Sequence, residues 1–323
     1  MNLNPKVWGS SIDDSSIDDR FELHMPVTHP RTRSKITSPK QFQNARASAP
    51  VCEVKVGNCL SLLKAIPDQK FQCCVTSPPY WGLRDYGIEG QIGAEPTVDE
   101  YIHSLVKVFS EVRRTLRDDG SLWLNIGDSY TSGNRTWRQT DSKNPARAMS
   151  YRPQTPDGLK PKDLIGIPWK LAFALQADGW YLRSDIVWNK PNAQPESVKD
   201  RPTRSHEFVF LMTKSKDYYY DHQSIMEPSL DKEKPRNRRS VWAINTEPSK
   251  EAHFAMFPPK LVQLCIEAGS PKDSVVLDPF FGAGTVGVVA MNLGRDCVGI
   301  ELKEEYAAIA ERRLAAVHPK LVL

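Results

Sequence analysis

Residues 76–81 (Thr-Ser-Pro-Pro-Tyr-Trp) carry the side chains best suited to chemistry. They directly follow an apolar run, 71–76 (FQCCVT), that reads as a buried strand. Two consecutive prolines fix φ and remove two N–H donors. Each also pushes the residue before it into extended geometry. The loop is therefore stiff, presents carbonyl oxygens and carries Tyr80 and Trp81 past a strand end, where open α/β sheets place their ligands. Ser77 Oγ and the Pro78 carbonyl can accept hydrogen bonds from an NH2 group, and an aromatic face can stack on the ring that bears it. These parts suit a planar amine. Taken alone, the same string equally describes a proline turn capping a strand, with its aromatics in the core.

A second segment, 277–285 (LDPFFGAGT), leaves a strand and enters a helix. Glycines there let the backbone approach a ligand closely, and the helix's first N–H groups face it. Glu301 ends the next strand, where a carboxylate can accept two hydrogen bonds from ribose hydroxyls. Residues 282–287 (GAGTVG) match the dinucleotide fingerprint GxGxxG. Only 36 residues follow Gly287 in the 323-residue chain, too few for the second half of a dinucleotide-binding fold. The loop also opens with Asp278 and two phenylalanines, which suits a cofactor with a cationic, apolar reactive end. A dehydrogenase is therefore disfavoured.

Alternating elements position these loops. Ile102, Leu105, Val106, Phe109, Val112 and Leu116 fall at helical spacing and predict a helix over 99–117. Strands are predicted at 121–126, 181–188, 207–213, 274–278 and 296–301, and helices at 166–178, 284–293 and 303–317. This order predicts an α/β fold with a largely parallel sheet. Residues 1–50 mix Ser, Asp, Pro, Thr and Arg without periodicity and read as a poorly ordered tail. The remaining 51–323 read as one domain. Two segments break the alternation. Residues 129–163 hold seven basic side chains against three acidic ones, and 223–251 contain the run KEKPRNRR. Irregular segments this long inside a compact domain usually have a function.

Together, SPPY and DPFFGAGT resemble the catalytic and S-adenosylmethionine-binding motifs of the DNA amino-methyltransferases. The catalytic string precedes the cofactor string, an order that resembles the permuted β group of that family. Residues 56–60 (VGNCL) look like the segment that lines the cofactor's adenine, and 253–261 (HFAMFPPKL) like the segment that closes over its methionine end. Residues 76–87 (TSPPYWGLRDYG) resemble the cytosine-N4 branch, which includes phage and restriction–modification enzymes.

The resemblance implies a Rossmann-like S-adenosylmethionine-dependent methyltransferase fold, with a mainly parallel twisted sheet and helices on both faces. It implies direct methyl transfer to a base flipped from double-stranded DNA. Ser77, Pro78, Pro79 and Tyr80 would be catalytic. Asn58, Cys59, Phe254, Pro258, Lys260, Asp278, Phe280, Gly282, Ala283, Gly284, Thr285 and Glu301 would bind the cofactor. Asn58 departs from the pattern, because many members carry Asp there. Ser at position 77 is associated with cytosine N4, and Asp with adenine N6. Family order puts the specificity region between the strand near 208–213 and residue 253, and the 129–163 segment is an equal candidate. Arg84, Arg135, Arg138, Arg147, Arg236, Arg238 and Arg239 are the expected DNA contacts. An adenine-N6 enzyme, an RNA or protein-amide methyltransferase and a non-catalytic nucleic-acid-binding protein are the alternatives. A cognate restriction endonuclease is the expected functional partner, and a monomer or homodimer the expected state.

Composition narrows the field further. Lys+Arg 43 against Asp+Glu 39 gives +4, which permits a polyanionic partner. None of the six cysteines forms a CxxC pair, so no zinc or other metal site is expected, and the scatter suits a reducing cytoplasm. No stretch approaches the roughly 20 apolar residues of a membrane helix, and no signal peptide is evident. Cytosine-C5 methylation needs a thiolate, usually after a proline, and no Pro-Cys dipeptide occurs. Cys73 and Cys74 lie in an apolar run and read as core. His206 and His253 are expected to be structural.

Overall fold

A strand without polar alternation must be covered on both faces. FQCCVT is such a run, and in the computed structural model it forms a strand, β2 (Phe71–Thr76), whose six residues are all buried. The structure describes residues 48–83, 87–88, 90–131, 155–229, 234–247 and 258–317. In chain order the other elements are β1 (Cys52–Val56), α1 (Cys59–Lys64), α2 (Val98–Thr115), β3 (Leu116–Ile126), α3 (Ile167–Ala177), β4 (Tyr181–Asn189), β5 (His206–Thr213), β6 (Val241–Ala243), α4 (Pro259–Gly269), β7 (Val275–Asp278), α5 (Thr285–Asn292), β8 (Asp296–Glu301) and α6 (Glu304–Ala315).

The strands form one sheet in the order β1-β8-β7-β2-β3-β5-β4-β6. Pairing is parallel from β1 through β3, while β5 runs antiparallel to both β3 and β4. The core lies on both faces. Helices α1, α2 and α3 pack with Phe71, Cys74 and Leu277 on one side, and α4, α5 and α6 with Cys73, Val75 and Val276 on the other. Adjacent Cys73 and Cys74 thus point to opposite faces, as strand alternation requires, and both are fully buried.

From β7 the chain crosses by α5 to β8, and from β2 it crosses by α2 to β3, in the opposite direction along the sheet. The crevice beyond the adjoining C-terminal ends of β2 and β7 is therefore a topological switch point. Helix α2 is set by a capping box: Thr97 Oγ1 accepts from the Glu100 N–H at 3.2 Å, and Glu100 accepts from the Thr97 N–H at 3.3 Å.

The structure differs from the sequence reading in three places. Helix α2 stops at Thr115, because Leu116 is already extended and begins β3. Residues 52–64 form β1 and α1, short elements whose periodicity is slight. Part of 223–251 is ordered sheet: β6 is an edge strand parallel to β4, with Val241 opposite Val187 and Ala243 opposite Asn189. The division near residue 50 falls next to the undescribed residues 1–47.

Candidate active site

Parallel pairing places Cys74 opposite Leu277, so the next residues of β2 run alongside Asp278. The Thr76 hydroxyl donates to Asp278 Oδ1 at 2.6 Å, and the Phe280 N–H donates to the same oxygen at 3.1 Å. Asp278 is 1% exposed. Burial pushes its carboxyl up to about 7, against the pull of those two donors.

Beyond Thr76 the proline loop is held from below. The fully buried Tyr101 of α2 donates its hydroxyl to the Pro79 carbonyl at 2.8 Å. Trp81 is buried, and its indole N–H donates to the Glu95 carbonyl at 2.9 Å. Trp81 therefore anchors the loop, and Tyr80 is the aromatic left at the crevice. Pro78 is buried, whereas Ser77, Pro79 and Tyr80 are half-buried. The Tyr80 hydroxyl donates to Glu207 Oε2 at 2.7 Å. The same oxygen accepts from Asn125 Nδ2 at 3.1 Å, and Glu207 Oε1 accepts from the Lys190 ammonium. Burial, reinforced by the Glu207 carboxylate, keeps the Tyr80 phenol protonated far above its ordinary range, while a hydrogen bond with Ser77 acts in the other direction.

On the cofactor side, Gly282 has φ +53°, and nothing lies within 4 Å of where its Cβ would be. Its N–H donates to Glu301 Oε2 at 2.7 Å, and the Lys303 N–H donates to Oε1 at 2.9 Å. Burial raises the Glu301 carboxyl above its usual range. Gly284 is spent differently: a Cβ there would meet Ala310 Cβ at 2.8 Å. The Phe281 ring also fills space that only glycine leaves, lying 2.7 Å from a Cβ built on Gly287 and 2.3 Å from one on Gly299. Phe280 turns the other way and meets Phe109 edge-on, with centroids 6.4 Å apart. The buried Ala283 gives its carbonyl to the Arg313 guanidinium, and Thr285 opens α5.

Val56 pairs with Glu301, which brings Asn58 to the same sheet edge. Asn58 is the N-cap of α1, its Oδ1 accepting from the Ser61 N–H at 3.1 Å. Its side-chain oxygen is thus already engaged. Cys59 is buried in the first turn, with its thiol pushed up to about 11 by burial. Pro258 is the buried N-cap of α4, and the exposed Lys260 reaches Gln263 on its own helix at 3.3 Å.

Among the expected DNA contacts, Arg236 and Arg239 each pair with Glu227 Oε1 at 3.0 Å. Arg238 donates to the Ile225 carbonyl at 2.8 Å and lies over Trp242. Phe254, Arg84, Arg135, Arg138 and Arg147 lie outside the described residues, as does His253. His206 begins β5 and stacks edge-on against Phe208 at 5.5 Å. Among the described residues no cluster of metal ligands occurs, and no helix is long and apolar enough to cross a membrane.

Tyr101, Asn125, Lys190, Glu207 and Arg313 were not anticipated from the sequence. Each comes from an element remote from the loop it supports, so no local pattern marks it.

The open face of Gly282, two strand-end carboxylates and an aromatic loop across a switch point fit a cofactor with ribose hydroxyls and a cationic centre. The fold is that of the Rossmann-like S-adenosylmethionine-dependent methyltransferases. Residues 71–312 match the DNA methylase family of N6 and N4 type, and the chain belongs to that family. It is an S-adenosylmethionine-dependent DNA methyltransferase. It is similar to the Type II methyltransferase M.SmaI of Serratia marcescens, 64% identical over 264 residues that cover 81% of this chain and 90% of the relative. M.Cfr9I of Citrobacter freundii, also a Type II methyltransferase, is 58% identical over 87% of this chain and 94% of its own. Among solved structures, the PvuII DNA methyltransferase (cytosine-N4-specific) shares the fold, with a TM-score of 0.61 and 21% identity over 83% of this chain and 89% of that one. A DNA modification methylase of Thermus thermophilus, solved with S-adenosylmethionine, has a TM-score of 0.60 and 23% identity over 84% and 96%.

Proposed function

We propose that the protein methylates the exocyclic N4 of cytosine within a specific sequence of double-stranded DNA. The observation that carries this reading is Ser77, a neutral hydroxyl rather than a carboxylate, on the stiff loop directly beside the glycine turn. When bound, S-adenosylmethionine supplies a methyl group on a sulfonium. Asp278, Gly282 and Glu301 would hold it, with Phe280 packed near it.

Ser77 Oγ and the Pro78 carbonyl accept hydrogen bonds from the target NH2. They draw the nitrogen lone pair out of the ring and stabilise the positive charge that develops on nitrogen. Pro79, bolted to Tyr101, limits reorganisation of the loop. Tyr80 stacks on the extruded base. Extrusion costs a few kcal/mol, and stacking on an aromatic side chain returns about 1–3 kcal/mol. Residues 129–163 and 223–251 would contact DNA from the domain spanning 51–323. Kinship to Type II enzymes supports a restriction endonuclease as the functional partner.

The test is mass spectrometry of nucleosides from DNA exposed to the enzyme and cofactor. N4-methylcytosine is the expected product. N6-methyladenine in its place overturns the specificity while leaving the methyltransferase intact.

A further inference from the structure

The Tyr80 hydroxyl, which also shares a hydrogen bond with Ser77, donates to a charged cluster that methyl transfer, as derived above, does not use. Three strands build this cluster. Asn125 comes from β3, Lys190 follows the last residue of β4, and Glu207 lies at the start of β5. Antiparallel pairing sets Glu207 opposite Trp188 at the sheet edge where β2 and β7 end.

We infer that Glu207 is a positioning residue for the aromatic platform, clamping Tyr80 in the orientation that receives the flipped base. This rests on the reading of Tyr80 as that platform. The prolines stiffen the loop backbone, but they leave the Tyr80 side-chain torsions free. A phenylalanine would stack as well as a tyrosine, so the hydroxyl is there for something other than stacking. Its proton goes to Glu207 at 2.7 Å.

Glu207 is itself fixed. Lys190 and Glu207 are 18% and 17% exposed in their side chains, so neither charge is fully hydrated and each needs the other. The Lys190 ammonium also lies 4.3 Å from the centre of the Trp188 ring. Asn125 donates to the carboxylate and, at 3.1 Å, to the Phe208 carbonyl, which orients its amide. These donors converge on one carboxylate, whose Oε2 also accepts the Tyr80 hydroxyl. Gly127 leaves the room: a Cβ there would lie 2.8 Å from Tyr80 Cε2 and 3.3 Å from Glu207 Cδ. The clamp therefore holds the ring by its hydroxyl end, in space that a side chain at position 127 would fill.

The experiment is a double-mutant cycle on the full chain with Glu207→Ala, Tyr80→Phe and the pair. Single-turnover methyl transfer at saturating cofactor and DNA is the readout, with 2-aminopurine fluorescence at the target position and cofactor affinity as companions. Glu207→Ala and Tyr80→Phe are each expected to slow transfer on the order of tenfold, and the pair no more than either. Cofactor affinity stays put. Glu207→Gln, whose amide oxygen still accepts the phenol proton, recovers part of the rate only when Tyr80 is present. Additive losses, or a wild-type rate in Glu207→Ala, overturn the inference. If Glu207→Ala does not fold, Lys190→Met takes its place in the cycle with the same two outcomes. Tyr80→Ala separates the readings: full activity there removes the platform itself, whereas loss of activity together with an additive cycle removes only the clamp.

Discussion

The Thr76 hydroxyl and the Asp278 carboxylate meet at 2.6 Å across 202 positions of chain. The bond joins the foot of the proline loop to the foot of the glycine turn. Because both residues end parallel neighbouring strands, the two loops share a rigid base and cannot drift apart without breaking the sheet.

If Asp278 holds the cofactor as proposed, binding should depend on pH. Its carboxyl is pushed up to about 7 in the free protein, and a cationic ligand favours the ionised form. Affinity for S-adenosylmethionine should therefore fall as pH drops below about 7, by up to about tenfold per unit. Calorimetric titration across pH 5–8 measures this, and Asp278→Asn should flatten the profile. Thr76→Val removes a donor that lowers this carboxyl, so the midpoint should move to higher pH. The unliganded fold carries the opposite sign. A carboxyl raised on folding stabilises below its unfolded value and loses that contribution as pH rises through 7. Melting curves of Asp278→Asn should lack that decline.

Gly282 and Gly299 separate ligand binding from packing. Gly299→Ala drives a methyl into the Phe281 ring, 2.3 Å from Cγ. Overpacking of this kind costs about 1–3 kcal/mol, and each kcal/mol lowers Tm by roughly 2–4 °C in a domain this size. Gly282→Ala has room for the methyl but strains a left-handed backbone by about 1–2 kcal/mol and intrudes on the open face. It should weaken cofactor binding by a far larger factor than any stable variant of Gly299. Thermal melting and calorimetry on both variants decide the assignment.

The proline loop and the glycine turn were legible because Pro and Gly act on their own backbone. A short string is then enough to predict stiffness, close approach and position beyond a strand. Cys73 and Cys74 were legible for a similar reason, since an unbroken apolar run has to be core. Tyr80 was legible as an aromatic, but its partners were not. Glu207 reaches it from β5 and is itself held by Asn125 of β3 and by Lys190 just past β4, and only the folded register brings them together. Gly284, Gly287 and Gly299 show the converse. A glycine in sequence does not say whether it makes room for a ligand or for Phe281. The KPRNRR run read as free positive charge, yet Glu227, on the far side of that segment, takes two of its arginines.

DNA binding should be strongly salt-dependent, since Lys and Arg on phosphates release counterions. Affinity measured by fluorescence anisotropy should fall at least about tenfold between roughly 50 and 200 mM salt. Arg239 is already paired with Glu227, so Arg239→Ala should reduce the slope by less than the full unit expected for one free phosphate contact. Affinity that stays constant across this range contradicts a phosphate-tracking surface.

The most direct test of the shared site is transfer of a labelled methyl group from S-adenosylmethionine to DNA by Ser77→Ala, once calorimetry has verified that the variant still binds the cofactor. Loss of one hydrogen-bonding group preorganised at the reacting atom costs on the order of 10²-fold in rate. The account predicts unchanged cofactor affinity with transfer slowed by about that factor. Full transfer activity in Ser77→Ala would contradict it, because the proline loop would then hold no part of the reacting amine.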